Sequence, residues 1–170
     1  MQLRERGRRI ACIVTAAHCV PTAAAATGTR AVFDDRAVVA LEPARLFVCA
    51  RRIDVTICAL GEGAPCASTR CCGAYPTRGD VHVVCLPWAG RKRVLDGRIC
   101  LATSCALFHT ARTAPGASGA PILDSAWRLL GIHIGKTRLV LSERRHLELA
   151  EGVCIGAVAE VLRAHGYTLD

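Results

Sequence analysis

Three short segments of this chain carry side chains whose combination does chemistry. Ser118 sits in Thr113-Ala114-Pro115-Gly116-Ala117-Ser118-Gly119-Ala120-Pro121-Ile122, a turn between two glycines ahead of an apolar run. Glycines let the backbone turn sharply there, so the Gly116 and Ser118 amides could converge on the point faced by the Ser118 hydroxyl. A serine hydroxyl is a weak nucleophile until a base takes its proton, and the base works best when a carboxylate fixes its tautomer. Two further segments supply such groups. His18 lies in Thr15-Ala16-Ala17-His18-Cys19, after the apolar run Ile10–Val14, and Asp54 opens Asp54-Val55-Thr56-Ile57-Cys58-Ala59-Leu60. Alone, a glycine–serine turn is ordinary loop chemistry; three such segments in one order are far more specific.

In the order His, Asp, Ser these segments resemble the motifs of trypsin-like serine peptidases of the chymotrypsin fold. The resemblance implies His18 as general base, Asp54 as its orienting carboxylate, Ser118 as nucleophile, and the Gly116 and Ser118 amides as an oxyanion hole. It implies no cofactor, and a protein or peptide as substrate. It also implies an all-β architecture: two β-barrels of six-stranded type and a C-terminal α-helix, with the active site in a cleft between the barrels. His18 and Asp54 are 36 residues apart and Asp54 and Ser118 are 64 apart, so the loops are short. Only about nine residues precede the strand leading to His18, where relatives have a further strand and hairpin. Either the first barrel lacks a strand, exposing unpaired backbone edges, or the sequence has lost its true N-terminus. Ala117 stands where trypsin carries the aspartate used in zymogen activation, so activation by that route is not expected.

The resemblance extends to substrate preference. Thr113, five residues before Ser118, and His133, fifteen after it, sit at offsets similar to those of the glutamyl endopeptidases, whose threonine and histidine line the pocket for the residue preceding the cut. An imidazole N–H and a hydroxyl converging in a partly dry pocket favour a carboxylate or an amide, and leave unpaired donors against an aliphatic side chain. The expectation is a preference for Glu or Asp, or for Gln. A different class of function stays open beside the peptidase: a peptidase-fold binding module that no longer aligns His18 with Ser118.

Composition bounds the remainder. At 170 residues the chain suits a single domain, read as an N-terminal half over 1–60, a Gly- and Pro-rich linker over 61–79, and a C-terminal half with its helix over 80–170. No uncharged run approaches the roughly 20 residues that cross a bilayer, so no membrane partner is expected. The net charge of +8 favours acidic partners. The arginines are scattered and aromatics are few, which argues against nucleic acid. Eleven cysteines show no metal-type spacing, so no metal site is expected. The usual partner position of Cys19 holds Leu3. The cysteines therefore read as reduced, mostly buried fillers, which favours an intracellular reducing compartment. Oligomeric state is not legible.

Candidate strands are Arg9–Val14, Thr29–Phe33, Arg36–Leu41, Leu46–Ala50, Val55–Leu60, Val81–Leu86, Arg98–Ala102, Ala106–His109, Ala120–Leu123, Leu129–Ile134, Leu139–Leu141 and Val153–Ile155. A helical turn at Ala16–Val20 carries His18, Pro21–Gly28 reads as a loop, and Ala157–His165 as an amphipathic helix ended by Gly166. His82, His109, His146 and His165 read as surface or satisfied core residues, and Ser142–Glu148 as a charged loop.

Overall fold

The computed structural model describes residues 1–5, 8–65, 71, 77–142 and 145–169. Much of the stretch read as a linker, 61–79, lies outside them. The chain divides into two compact units, Met1–Thr69 with Val158–Asp170, and Arg70–Ala157.

In the first unit the strands are β1 (Gln2–Glu5) and β2 (Arg8–Ala16), then, after helix α1 (Ala23–Thr27), β3 (Arg30–Val32), β4 (Val38–Ala40), β5 (Phe47–Ala50) and β6 (Val55–Ala59). Strand β6 reads Val-Thr-Ile-Cys-Ala and is buried at every position, as a central strand covered on both faces must be. It pairs antiparallel with β2 on one side and β5 on the other. Strand β1 forms a hairpin with β2 and buries Leu3 completely. A short C-terminal strand (Thr168–Leu169) pairs with β1 in turn. The sheet is open and five-stranded, and β3 and β4 form a separate two-stranded sheet.

The residues ahead of β2 thus supply a strand of their own, and the far edge of that strand is paired by the chain's last strand. Both strands are too short to show a period. The four alanines read as a loop form α1, because Thr22 caps it by accepting the Ala25 N–H at 3.1 Å. A core of Val20, Ala26, Val39, Leu41, Cys58 and Leu60 fills the space beneath.

The second unit is a closed six-stranded antiparallel barrel. Its strands are β7 (Asp80–Cys85), β8 (Arg93–Ala102), β9 (Ala106–His109), β10 (Pro121–Asp124), β11 (Leu129–Ser142) and β12 (Arg145–Cys154), ordered β10-β11-β12-β9-β8-β7 and closing through β7 and β10. Strand β7 alternates, with Val81, Val83 and Cys85 inward, where they meet Leu107, Ile122 and Leu130. The stretch read as a charged loop belongs to the long β11–β12 hairpin, apart from 143–144, which lie outside the described residues. Lys136 and Glu148 pair across it at 2.8 Å. Ser142, His146 and Glu148 are exposed on this ribbon, so charge content alone misreads it. The closing helix α2 spans Ile155–Ala164 and the final strand is β13 (Thr168–Leu169). Among the described residues no helix is long and apolar enough to cross a membrane.

Six cysteines, Cys49, Cys58, Cys85, Cys100, Cys105 and Cys154, are free thiols. Burial pushes the Cys58 and Cys154 thiols up to about 11, so both stay protonated and pack as small apolar groups.

Because Leu3 is fully buried in β1, Leu3→Ala is expected to destabilise the protein by about 2–5 kcal/mol, measured by urea unfolding followed by tryptophan fluorescence and far-UV circular dichroism. An exposed residue of the same strand, Arg4→Ala, should shift the midpoint little.

Candidate functional site

The first unit brings His18 and Asp54 together through strand register. Strand β2 pairs with β6 so that Ala16 lies opposite Val55. The residues just beyond that last rung, on a turn after β2 and immediately before β6, must then meet. Asp54 takes a left-handed conformation (φ 53°, ψ 47°) after a single 3₁₀ turn over Arg51–Ile53; aspartate is one of the few residues that does so at modest cost. Three hydrogen bonds fasten the two segments. The Ala17 N–H donates to the Asp54 carbonyl at 2.9 Å. The His18 backbone N–H donates to Asp54 Oδ1 at 2.9 Å, and ring Nδ1–H donates to Oδ2 at 2.7 Å. With the proton held on Nδ1, the basic lone pair of a neutral imidazole is on Nε2. The Thr56 hydroxyl, fully buried, donates to the Val20 carbonyl at 2.9 Å and ties down the far side of the turn.

The second unit carries Ser118 in a turn fixed from both ends. Gly116 has φ +94° and Gly119 φ +84°, both in the left-handed region. Space confines the first of them as well. A Cβ at Gly116 would lie 2.7 Å from the Leu86 carbonyl oxygen and 3.2 Å from the Trp88 nitrogen. The turn is pinned there because the Trp88 N–H donates to the Pro115 carbonyl at 2.7 Å. At its other end the Gly119 N–H donates to the His133 carbonyl, and the His133 N–H to the Ala120 carbonyl, both at 2.8 Å. The backbone of His133 is thereby locked to the residues following Ser118.

Thr113 and His133 are both buried, 5% and 3% exposed, and with His109 and Thr56 they are the buried polar residues among those described. The Thr113 hydroxyl oxygen has no hydrogen-bond partner among the described residues. Buried hydroxyls usually have one.

His109 is the functional candidate that the sequence reading passes over. It reads as a surface or satisfied core residue, yet it is 0% exposed and its Nε2 has no partner among the described residues. The signal was present: in Ala106-Leu107-Phe108-His109 the second and fourth residues face inward together. The ring stands edge-on to His133, with centroids 5.7 Å apart and planes at 64°. Burial first, and then the neighbouring His133, lower its pKa to about 4. His109 also forms part of the wall of a cavity of about 440 Å³ that carries Arg112, Lys136 and Glu148.

Two further histidines fill structural places. His82 Nδ1 contacts Asp96 Oδ1 at 2.7 Å and its ring stacks on Trp127 at 5.2 Å; His165 Nδ1 bonds the Val161 carbonyl at 2.8 Å. Among the described residues no group of three or more His, Cys, Asp or Glu could hold a metal ion.

A family model described as "Trypsin-like peptidase domain" matches residues 3–132. The chain is similar in structure to the Rv3671c protease in its inactive form, with a TM-score of 0.64, 19% identity, and 97% of this chain and 87% of that one covered. A serine-to-alanine form of Rv3671c from Mycobacterium tuberculosis H37Rv gives a TM-score of 0.65 at 20% identity, covering 96% and 84%. The serine endoprotease from Yersinia pestis gives 0.67 at 17% identity, covering 91% of this chain and 53% of that one. A search of curated proteins finds no match. At these identities the likeness is one of fold: the open sheet and the closed barrel are those of a chymotrypsin-type protein.

The state of His109 makes stability depend on pH. Its folded pKa of about 4 lies below the ordinary 6.5, so the unfolded chain takes up the proton first on acidification. The contribution is complete above pH 6.5 and is lost as pH falls toward 4. Urea unfolding at pH 7.5 and 4.5 should therefore show a drop of about 2–3 kcal/mol from this group, and the drop should shrink by that amount in His109→Phe. An equal fall in both proteins would place the titration elsewhere.

Proposed function

The chain belongs to the trypsin-like peptidase family, and we propose that it is a serine endopeptidase in which His18, Asp54 and Ser118 act as one triad. The observation that carries the reading is the His18–Asp54 pair. The carboxylate holds Nδ1–H at 2.7 Å and also the His18 backbone N–H, so both the tautomer and the ring position are set.

In the proposed reaction His18 Nε2 takes the proton from the Ser118 hydroxyl as its oxygen attacks the carbonyl of the scissile peptide. The tetrahedral oxyanion is held by the Gly116 and Ser118 amides. His18 returns the proton to the departing amine, and the acyl-enzyme is cleaved by water activated at the same nitrogen. Asp54 stays ionised throughout and steadies the imidazolium. The turn at Gly116 supports the oxyanion assignment, because a backbone held at φ +94° beside the Leu86 carbonyl has little freedom to point its amides elsewhere.

Thr113 and His133 are proposed to line the pocket for the residue before the cut. Both are buried polar side chains in the second unit, and the Thr113 hydroxyl has no partner among the described residues. A substrate carboxylate or amide would supply an acceptor to such a donor; an aliphatic side chain would leave it stranded.

A fluorophosphonate probe should label the protein covalently, and Ser118→Ala should abolish labelling. Asp54→Asn, which allows the wrong imidazole tautomer, should slow turnover about 10³–10⁴-fold while the fold survives. A folded protein that never labels would instead be a binding module built on the peptidase fold.

In a peptide library, cleavage after Glu, Asp or Gln should exceed cleavage after Leu or Arg by at least about tenfold in kcat/KM. Cleavage led by Leu or Arg would remove Thr113 and His133 from the pocket.

A further inference from the structure

We propose that His109 is a positioning residue for His133: fixed in one tautomer by the Ala111 amide, it lies edge-on to the His133 ring and sets that ring's orientation. The consequence for cleavage rests on the reading of Thr113 and His133 as the pocket for the residue before the cut. The contact between the two rings does not.

The barrel wall holds His109 firmly. Its backbone lies opposite Ala150 of β12 on one side and Ile99 of β8 on the other. Strand β12 also separates β9 from β11, and there His133 lies opposite Gly152. Two rings on strands either side of a third can meet only if the strand between offers little bulk. Ala150 and Gly152 offer a methyl and a hydrogen. A Cβ at Gly152 would crowd the Ile132 carbonyl oxygen at 2.9 Å, a backbone atom that cannot easily move aside. The rings meet at 5.7 Å and 64°.

The tautomer follows from one hydrogen bond. The Ala111 N–H donates to His109 Nδ1 at 3.3 Å, so Nδ1 carries the lone pair and the proton of the neutral ring is on Nε2. That Nε2–H is buried and has no acceptor among the described residues. An apolar side chain of the same size would avoid the cost of such a donor. What the imidazole adds is a fixed N–H dipole beside His133, in an interior dry enough for a dipole to count. The low basicity of the buried ring keeps that dipole neutral near pH 7. A positive charge on His109 beside the His133 ring is thereby avoided.

The chain continues from His109 through Ala111 to Thr113, whose N–H donates to the Ala111 carbonyl at 2.9 Å. Ala111 therefore ties His109 by its N–H and Thr113 by its carbonyl. One residue thus couples the ring that touches His133 to the backbone of Thr113.

The test replaces the dipole and keeps the bulk. In His109→Phe, labelled at histidine with ¹⁵N, the ring signals of His133 (assigned by their loss in His133→Gln) should shift and broaden. With peptide substrates, kcat/KM after Glu or Gln should fall about tenfold, mainly through KM, while cleavage after Leu changes less than about twofold. His109→Gln, which restores an N–H near the Nε2 position, should recover part of the loss and serves if the phenylalanine variant folds poorly. If the wild-type enzyme shows no Glu or Gln preference while the His133 signals still move, the positioning stands and the pocket reading falls. Unmoved His133 signals in a folded His109→Phe protein would overturn the proposal, whatever the substrate profile.

Discussion

The pairing of β2 with β6 is the constraint on which the first unit's chemistry depends. Antiparallel register is discrete, and a slip of one residue reverses which side chains face the core. With Ala16 opposite Val55, Ile57 falls in the buried interior and the two strand ends finish level, so that a histidine two residues past one and an aspartate one residue before the other share a carboxylate–imidazole contact. The core therefore sets the geometry of the pair. Burial of β6 at all five positions holds a register that the exposed His18 and Asp54, half and a third open to solvent, could not enforce themselves. An exposed ion pair contributes little to stability.

The second unit solves a different problem, that of holding polar groups inside a closed barrel. Closure leaves no strand edge for water to reach, so any inward polar side chain needs a partner of its own or bears a penalty. Most inward positions are Val, Ile, Leu, Cys or Ala. Thr113, His109 and His133 depart from that pattern, and they do so along the segment leading to Ser118 and on the strand whose backbone is bonded to the residues following it. A barrel selected for packing alone would have placed aliphatic side chains there. Departures of this kind are where local rules give way to function.

Much of this was legible in the residues, for identifiable reasons. The motifs around His18 and Asp54 singled out two residues that meet at 2.7 Å, because each needs a specific local neighbourhood, and β9 was read to the residue because its alternation is clean. Strands β1 and β13 were missed, since strands of four and two residues carry no period and are held by pairing with their neighbours, β1 lying between β2 and β13. The β11–β12 hairpin was cut short because a solvent-facing ribbon has no buried face to mark it. His109 was seen as part of a strand but its role was not, since burial of a polar atom is a property of three strands at once. The alternation said that the ring points inward; only β12, with Ala150 and Gly152, says what it meets.

The chain holds a second histidine–aspartate contact, and the comparison shows what the first one owes to its setting. His82 Nδ1 lies 2.7 Å from Asp96, the same separation as His18 from Asp54. Yet His82 and Asp96 are opposite each other on adjacent strands of a barrel wall, and the ring is stacked flat on Trp127, a surface in which the imidazole serves as a packing face with a polar rim. His18 sits on a turn, its backbone N–H and ring bound to the same carboxylate, so rotation about the side chain is fixed while the other nitrogen stays on the outer side of the contact. A short imidazole–carboxylate distance identifies a pair of partners. Whether the pair can move a proton depends on how the chain leaves the second nitrogen, and a turn beyond a strand end leaves it in a way that a strand interior does not.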